Sequence, residues 1–351
     1  MGILQLYEAD ARGVVGSRVC PLPDCTGAVV RREINGEYSL TVSVPRGARF
    51  ANEIIMGRAI RAQVNEAGDT QHFIVKKRTR SLTGGMNVYA EHQSYYYNGV
   101  IVRGSAAGAR TPSLAFNQIW IAAHPSVSDL GTATFSRTDN TQVTSAAVTK
   151  PSSLRQLQLG WLIDNFGGEI VYDGFNVEWV DAMGADNGVV YRYGANITEM
   201  ESEDILDSYA SGIFPYWGSI DPKSNIGIVT ISGYILNYPG TWPVEVIKPV
   251  DLTSSFDQEP SPADLLTAAQ EWIAVNAPTG IPVSIKASRA RLVGDVPVDL
   301  GDTVTVVNTP WGISQKTRIF SLTFDALRGR VSDVQFGTIN PGFYGAVKNT
   351  K

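Results

Sequence analysis

The chain has 351 residues and a net charge of −5 at pH 7, with 43% hydrophobic and 18% charged residues. This composition is ordinary for a soluble folded protein of two or three domains, and the lack of a basic excess argues against a nucleic-acid-binding domain. No window approaches the roughly 20 apolar residues of a membrane span, and the N-terminus lacks the basic start and apolar core of a signal peptide, so we expect synthesis in a cytoplasm.

Residues 1–103 predict β-structure throughout, because short alternations of apolar and polar residues stand between turn residues. The dipeptide Asn35-Gly36 is the strongest short signal for a β-hairpin. A three-stranded meander follows Gly57, with turns at Gly68-Asp69 and Gly84-Gly85. The predicted strands are Gly2–Tyr7, Ala28–Ile34, Tyr38–Val44, Ala59–Val64, His72–Arg78 and Asn87–Glu91.

Residues 104–185 predict an α+β region. One helix is predicted over Ser113–Ala123, directly after Pro112, which is a residue that often begins a helix. A second helix is predicted from Leu154, with its apolar residues on one face and Gly167 as its C-cap. A hairpin around Asp173-Gly174 then joins the predicted strands Glu169–Tyr172 and Phe175–Val180.

The remainder of the chain returns to β-structure, with one helix predicted over Pro260–Val275 and Ser261 as its N-cap. The segment Asn196–Ile205 is polar and acidic, and we predict neither a helix nor a strand there. A second three-stranded meander closes the fold. The predicted strands are Gly188–Tyr193, Ile213–Ser219, Ile226–Ile231, Thr303–Val307, Lys316–Phe324 and Arg330–Phe336.

The two meanders share one layout, which indicates an internal duplication. Residues 57–92 and 301–337 each begin with a glycine, have nearly equal length and place their turns at nearly equal positions. We therefore predict a mainly β fold with α+β insertions, built from two small β-barrel modules and one α+β domain. The predicted domains are 1–103 (first barrel), 104–185 (α+β), 186–345 (second barrel, with a helical segment near 260–275) and a tail at 346–351.

Two groups of titratable residues could carry chemistry. Glu201, Glu203 and Asp204 could supply the paired carboxylates of a glycosidase, but such an acidic run is more often a solvated or interface surface. His92 could activate a nucleophile, but the simpler interpretation is a strand-end histidine packed against one of Tyr95–Tyr97. We favour the structural interpretation of both groups. No zinc-protease motif or phosphate-binding loop occurs, so Gly84-Gly85 and Gly167-Gly168 are interpreted as turns.

Aromatic residues offer a further choice between two functions. The run Tyr95–Tyr97 and the tryptophans Trp217, Trp242 and Trp311 could stack on sugars, or they could lie at subunit contacts, where Tyr and Trp are enriched. We favour subunit contact.

Cysteine usage points to no special chemistry. Cys20 and Cys25 are the only cysteines, so a metal site would lack ligands. A local disulfide remains open but is disfavoured in a reducing cytoplasm, and we predict two free structural thiols. We predict no catalytic, cofactor-binding or metal-binding residues.

Four segments, taken in order and spacing, resemble the phage tail-hub family, which includes prophage tail proteins, the N-terminal part of siphophage tail-associated lysins and, more distantly, contractile-tail baseplate hubs. The resemblance covers roughly residues 80–340. The segments are Asn87–Val100, Leu159–Trp179, Asp186–Gly218 and Val298–Gly337.

This resemblance implies a phage baseplate-hub-like fold of two small barrels joined by α+β insertions. It further implies that three chains form a homotrimeric ring around an axial channel, with six barrels in a pseudo-sixfold arrangement. The implied partners are a sixfold distal tail protein, the tape measure protein, and tip or fibre proteins. DNA would pass through the channel without sequence-specific binding, and the protein would reside in the virion at the tail tip.

The expected function is therefore a structural, non-enzymatic tail-tip hub without cofactors. The sequence ends at Lys351, shortly after the last predicted strand, so we expect no hydrolase domain after the hub. Two alternatives remain: a tail-associated cell-wall hydrolase, and a receptor- or glycan-binding tip protein.

Overall fold

The structure is a computed structural model. It describes residues 3–81, 84–104, 110–141, 148, 150–204, 210–220, 227–231, 236–238, 245–256, 258–276, 283–289, 297–311 and 313–337. The first strands, numbered along the chain, are β1 (Leu4–Ala9), β2 (Val15–Leu22), β3 (Gly27–Glu33), β4 (Tyr38–Val44), β5 (Ala59–Gln63), β6 (Thr70–Arg80), β7 (Met86–His92) and β8 (Ile101–Val102).

The middle of the chain contains most of the helical segments. Its helices are α1 (Pro112–Ile121), α2 (Leu154–Gln156) and α3 (Leu162–Phe166), the last two joined by a π-helical stretch at Leu157–Trp161. Its strands are β9 (Ala123–His124), β10 (Ala133–Phe135), β11 (Ser152–Ser153), β12 (Glu169–Asp173) and β13 (Asn176–Val180).

The C-terminal part adds one long helix, α4 (Pro262–Asn276). Its strands are β14 (Asp186–Arg192), β15 (Ile197–Asp204), β16 (Gly212–Ile220), β17 (Gly227–Ile231), β18 (Leu236–Asn237), β19 (Ile247–Asp251), β20 (Val283–Arg289), β21 (Thr303–Asn308), β22 (Ile313–Asp325) and β23 (Arg330–Gly337).

One large sheet dominates the molecule, and the predicted mainly β fold is confirmed. Eleven of its thirteen strands follow the order β15–β20–β23–β22–β3–β4–β7–β6–β5–β1–β2, and β14 pairs with β21, which pairs with β22. The sequence does not predict this continuity between the two halves of the chain. Closure of each half into a separate barrel stays a prediction.

Both predicted meanders are present with the same connectivity. β5–β6–β7 and β21–β22–β23 are antiparallel, and each continues into a further antiparallel pair, β4–β3 in the first case and β20–β15 in the second. The halves differ at one margin, because β1 pairs with β5 in the antiparallel sense whereas β14 pairs with β21 in the parallel sense.

Details of the two meanders also coincide. The Gly57 amide donates to the Val75 carbonyl at 3.0 Å, and the Gly301 amide donates to the Ile319 carbonyl at 2.8 Å. Each glycine has a left-handed φ, 85° and 88° respectively. The residue after each of these carbonyls is a register irregularity: Lys76 follows Val75 in β6, and Phe320 follows Ile319 in β22. A bulge bends a strand at a set position, so this repetition supports the duplication.

The described residues form three hydrophobic cores. The largest combines residues of β1–β7 with residues of β14, β15 and β21–β23, so it spans the two halves that the sequence assigns to separate barrels. A second core joins α1, α2, α3 and the β12–β13 hairpin around the fully buried Trp179 and Tyr97. A third packs α4 against β16, in a segment inserted between β15 and β20.

Candidate functional site

The joint between the two halves of the sheet is made by β22. Its first part pairs with β21, and its last part, on the same edge, pairs with β3 from Ser321 opposite Glu33 to Asp325 opposite Val29. The Ile34 amide also donates to the carbonyl of Phe320 at 3.0 Å. A β-ladder between the two modules fixes their relative position by main-chain hydrogen bonds rather than by side-chain contact alone.

An ion pair with a buried carboxylate links β22 to the α+β region. The Arg318 guanidinium on β22 donates to both carboxylate oxygens of Glu169 on β12, at 2.7 and 3.0 Å, and to the carbonyls of Gly301 and Met183. Glu169 is buried and also accepts from the Met183 amide at 2.7 Å. A bidentate Arg–carboxylate pair with its remaining polar groups satisfied is geometrically specific, so it ties the α+β hairpin to the second meander.

His92 lies in a buried cluster at the end of β7. It is fully buried and stacks on Tyr38 with ring centroids 4.1 Å apart, while Phe73 meets it edge-on at 5.8 Å. These ring partners differ from the predicted tyrosine run. The His92 Nδ1 lies 3.0 Å from the Ser94 Oγ, and its Nε2 lies 3.1 Å from the Gln71 Oε1.

A serine hydrogen-bonded to a histidine is the beginning of a nucleophilic site, but this pair has no access to a substrate. Ser94 is fully buried, like His92, and its hydroxyl accepts from Arg155 at 3.0 Å. Desolvation, followed by the charges of Arg155 and Arg32, holds the pKa of His92 well below 6.5. The cavity beside Arg155 and Tyr38 has a volume of about 40 Å³, enough for a few water molecules but not for a saccharide. The pair therefore has the surroundings of a structural cluster.

Arg155 is the centre of that cluster. Its guanidinium lies 4.0 Å from the ring centroid of Tyr95 and 4.7 Å from that of Tyr172, and it donates to the Gly36 carbonyl at 3.0 Å. These contacts link α2 to the β3–β4 turn and to β12. A buried arginine between two aromatic rings combines cation–π attraction with packing, and sequence pattern alone gave no signal for it.

The aromatic residues that the sequence singles out are buried wherever the structure describes their side chains fully, with the exception of the half-buried Tyr95 and Tyr96. Tyr97 is fully buried and its hydroxyl donates to the Phe175 carbonyl, while the Tyr95 hydroxyl accepts from the Tyr38 amide at 3.2 Å. Trp217 is buried in the third core. Trp242 lies outside the described residues, and Trp311 ends a short 3₁₀ helix whose side-chain contacts are not described. Tyr95, Tyr97 and Trp217 thus have internal contacts.

The acidic candidates lie in a strand that the sequence did not predict. Glu201, Glu203 and Asp204 belong to β15, opposite Lys286, Ser284 and Val283 of β20. β15 ends the strand order of the large sheet. The group therefore occupies a sheet edge.

Both cysteines are free and buried, as predicted. Desolvation raises the pKa of Cys25 to about 11, so its thiol stays protonated and unreactive. Within the described ranges, no cluster of three or more His, Cys, Asp or Glu side chains could hold a metal ion. In the same part of the chain, every helix is too short or too polar to cross a bilayer.

Comparison with known proteins gave matches among solved structures alone. No protein-family model matches the sequence, and no curated protein matches it. The prophage tail protein gp18 from Listeria monocytogenes EGD-e matches with a TM-score of 0.63 at 13% identity, over 99% of this chain and 98% of that chain. The tail protein from Neisseria meningitidis MC58 matches with a TM-score of 0.63 at 12% identity, over 99% of both chains.

A third match is the 43 kDa tail protein of prophage MuSo2 from Shewanella oneidensis, with a TM-score of 0.59 at 10% identity, over 98% of this chain and 99% of that chain. All three likenesses span the whole described architecture rather than one module. The resemblance that the sequence motifs indicate is therefore confirmed at the level of the fold, and this chain has the fold of the prophage tail proteins.

Proposed function

We propose that the chain is a structural, non-enzymatic hub protein at the tip of a phage or prophage tail. Three copies form a ring around an axial channel, close the distal end of the tail tube and let DNA pass during ejection. The observation that carries this proposal is the full-length fold match to three tail proteins, which covers 98–99% of this chain. A single barrel reused in an unrelated protein would match over one module only.

The duplication supports the proposed symmetry. Each chain contains two meander modules joined by a β-ladder, so three chains supply six modules around one axis. Closed rings are the ordinary outcome of heterologous contacts when the rotation closes. A ring with six similar modules can meet a sixfold distal tail protein, while its threefold symmetry suits a tip or fibre protein. The tape measure protein is the further proposed partner.

The charge of the chain supports DNA passage without retention. Its net charge is −5, whereas proteins that hold DNA neutralise phosphates with Lys and Arg and release counterions. The chain supplies no net excess of Lys and Arg to hold the polymer. The proposed location is accordingly the virion, after synthesis in the host bacterial cytoplasm.

Cryo-microscopy of the assembled particle tests this function. We expect density for this chain as a trimer on the tail axis, directly below the sixfold tube. Finding it as a hexamer, as a dimer or in a peripheral fibre would show that the proposal is wrong.

A digestion assay tests the absence of enzymatic activity. The purified chain should release no soluble fragments from peptidoglycan, because the paired His92 and Ser94 are fully buried. Solubilisation that is lost on substitution of Glu201, Glu203, Asp204 or His92 would instead favour a tail-associated hydrolase. Binding on a glycan array would favour a receptor-binding tip protein.

A further inference from the structure

The duplication relates strands residue by residue. A row across the first half runs from Arg78 on β6 through Val88 and Val42 to Ala28 on β3. The equivalent row in the second half runs from Leu322 on β22 through Val334 and Ala287 to Met200 on β15. β6 therefore corresponds to β22, and β3 corresponds to β15.

β22 and β3 join the two halves within one chain. The equivalent strands of the duplication, β6 and β15, do not pair with each other. The final part of β22 pairs with β3, with Leu322 opposite Arg32. The final part of β6 presents the same edge, because β5 pairs with β6 no further than Ile74, and the last main-chain hydrogen bonds given for this edge join the Val75 amide to the Arg58 carbonyl and the Gly57 amide to the Val75 carbonyl. From Lys76 to Arg80, no described strand pairs with this edge of β6.

The partner edge is open in the same way. β3 lies between β4 and β22, whereas its counterpart β15 pairs with β20 and is the last strand of the sheet order. On its outer side, the described bridge is that of Ile197 with Tyr193, before the strand proper. An unpaired strand edge is a template for another strand, and natural proteins cover such edges or use them.

The two open edges have opposite charge. The β6 segment carries Lys76, Lys77, Arg78 and Arg80, and apart from the half-buried Arg78, which donates to the Ile54 carbonyl, these side chains are exposed. The β15 segment carries Glu199, Glu201, Glu203 and Asp204. Opposite charges across an antiparallel pair stabilise it, and like charges across the pair oppose it.

We propose that the open edge of β6 in one copy pairs with β15 of a second copy of this chain, repeating between molecules the joint that β22 and β3 make within one. When the register observed between β22 and β3 is applied to β6 and β15, it gives four cross-strand pairs. They are Arg78 opposite Asp204, Thr79 opposite Glu203, Arg80 opposite Ser202, and Ser81 opposite Glu201. This inference rests on the proposed function, because it names the contact that would build the ring.

The proposed contact is heterologous, since β6 and β15 are different surfaces of one chain. Such a contact forms a ring when its rotation closes and a filament when it does not. Because the intrachain and interchain joints would use equivalent strands in one register, all modules around the ring would meet in the same way.

Disulfide trapping tests the register. Thr79→Cys and Glu203→Cys in one chain should give covalent oligomers under mild oxidation, because directly opposite strand positions have the Cα separation that a disulfide requires. Thr79→Cys with Ser202→Cys is the matched control, since a shift of one residue turns the side chain to the other face. Arg31→Cys with Thr323→Cys is the positive control, which should close within one chain. Equal trapping in and out of register, or no covalent oligomer at the solubility limit, would overturn the pairing.

Charge exchange tests the complementarity independently. In the proposed register Lys77 lies diagonally opposite Glu203 on one face of the ladder, so Lys77→Glu should weaken self-association about fivefold, and Glu203→Lys should do the same. The chain with both changes should associate again, because this diagonal pair is then restored with reversed sign. Arg103→Glu with Lys150→Glu, at exposed positions next to the separate β11–β8–β9 sheet, is the control and should have no effect. Failure of the double variant to recover association would contradict the proposal.

These results separate the contact from the function. An axial trimer in the particle, combined with negative trapping and charge exchange, would leave the hub assignment standing and remove only the strand pairing. Positive trapping without an axial position in the tail would retain the contact and remove the hub.

Discussion

His92 makes the stability of the fold depend on pH. The folded protein keeps this group neutral, because desolvation and the neighbouring Arg155 and Arg32 charges hold its pKa well below 6.5. The unfolded chain therefore binds more protons below about pH 6.5, so the free energy of unfolding decreases as pH falls. Burial lowers the pKa of His72 in the same direction.

The first prediction is a flatter pH profile for His92→Gln. Wild-type stability should fall by about 1.4 kcal/mol per pH unit more than that of the variant between roughly pH 6 and 5. Urea unfolding at several pH values measures this difference. Asn98→Gln, which changes an exposed residue that does not titrate, is the control and should keep the wild-type slope. Identical slopes for His92→Gln and wild type would contradict a neutral buried imidazole.

Two ion pairs made by residues of β22 should differ sharply in their contribution to the free energy of unfolding. The side chains of Arg318 and Glu169 are 27% and 8% exposed, whereas those of Lys316 and Asp186 are 62% and 45% exposed. Removing one member of a buried pair leaves an uncompensated charge, but a solvated pair is worth little. Glu169→Ala should lower the free energy of unfolding by about 3 kcal/mol, and Asp186→Ala by at most about 1 kcal/mol. Equal losses in chemical denaturation would refute this ranking.

At the scale of elements, the paired glycines of the meanders provide a matched comparison. Gly57→Ala and Gly301→Ala should each cost about 1 kcal/mol for a left-handed φ. A Cβ at Gly57 would meet open space, but at Gly301 it would lie 2.6 Å from the Met183 carbonyl oxygen. Gly301→Ala should therefore cost about 2 kcal/mol more than Gly57→Ala, as measured by thermal or chemical unfolding. A larger loss of stability for Gly57→Ala than for Gly301→Ala would contradict the close contact between Gly301 and Met183.

Element prediction succeeded where local chemistry decides the structure. Asn35-Gly36 set the β3–β4 hairpin, and the glycine-rich turns set both meanders. β15 was missed because its alternate residues include Glu199, Glu201 and Glu203, which remove the apolar face that makes a strand visible in sequence. β2 was missed because it is an edge strand that contains Pro21 and has exposed residues at half of its positions.

The candidate site depended more strongly on distant contacts. The stacking of His92 on Tyr38 and the position of Arg155 between two rings join segments far apart in the chain, which periodicity cannot relate. The continuity of the sheet through β22 and β3 has the same origin. The tail-hub resemblance supplied the fold, but the joint itself required the structure.

At the scale of the whole molecule, the proposed self-association should depend on salt. Exposed charges interact less as the screening length decreases, from about 10 Å at 0.1 M to 3 Å at 1 M ionic strength. Sedimentation should therefore show weaker association at high salt. A chain with Lys77→Gln, Arg80→Gln, Glu201→Gln and Glu203→Gln should associate more weakly at low salt and respond less to added salt. Stronger wild-type association at high salt would contradict a charged contact.

The ladder between β3 and β22 also bears on how the protein is made. β3 precedes its partner segment Ser321–Asp325 by almost 300 residues, so β3 leaves the ribosome long before that segment has been translated. Such distant pairing slows folding, since a long loop must close before the contact forms. During this interval a nascent chain exposes β3, and the finished β22 of a neighbouring copy on the same messenger could occupy it, producing an exchanged dimer. The feature that makes the sheet continuous thus also makes late translation the step at which misassembly competes with folding.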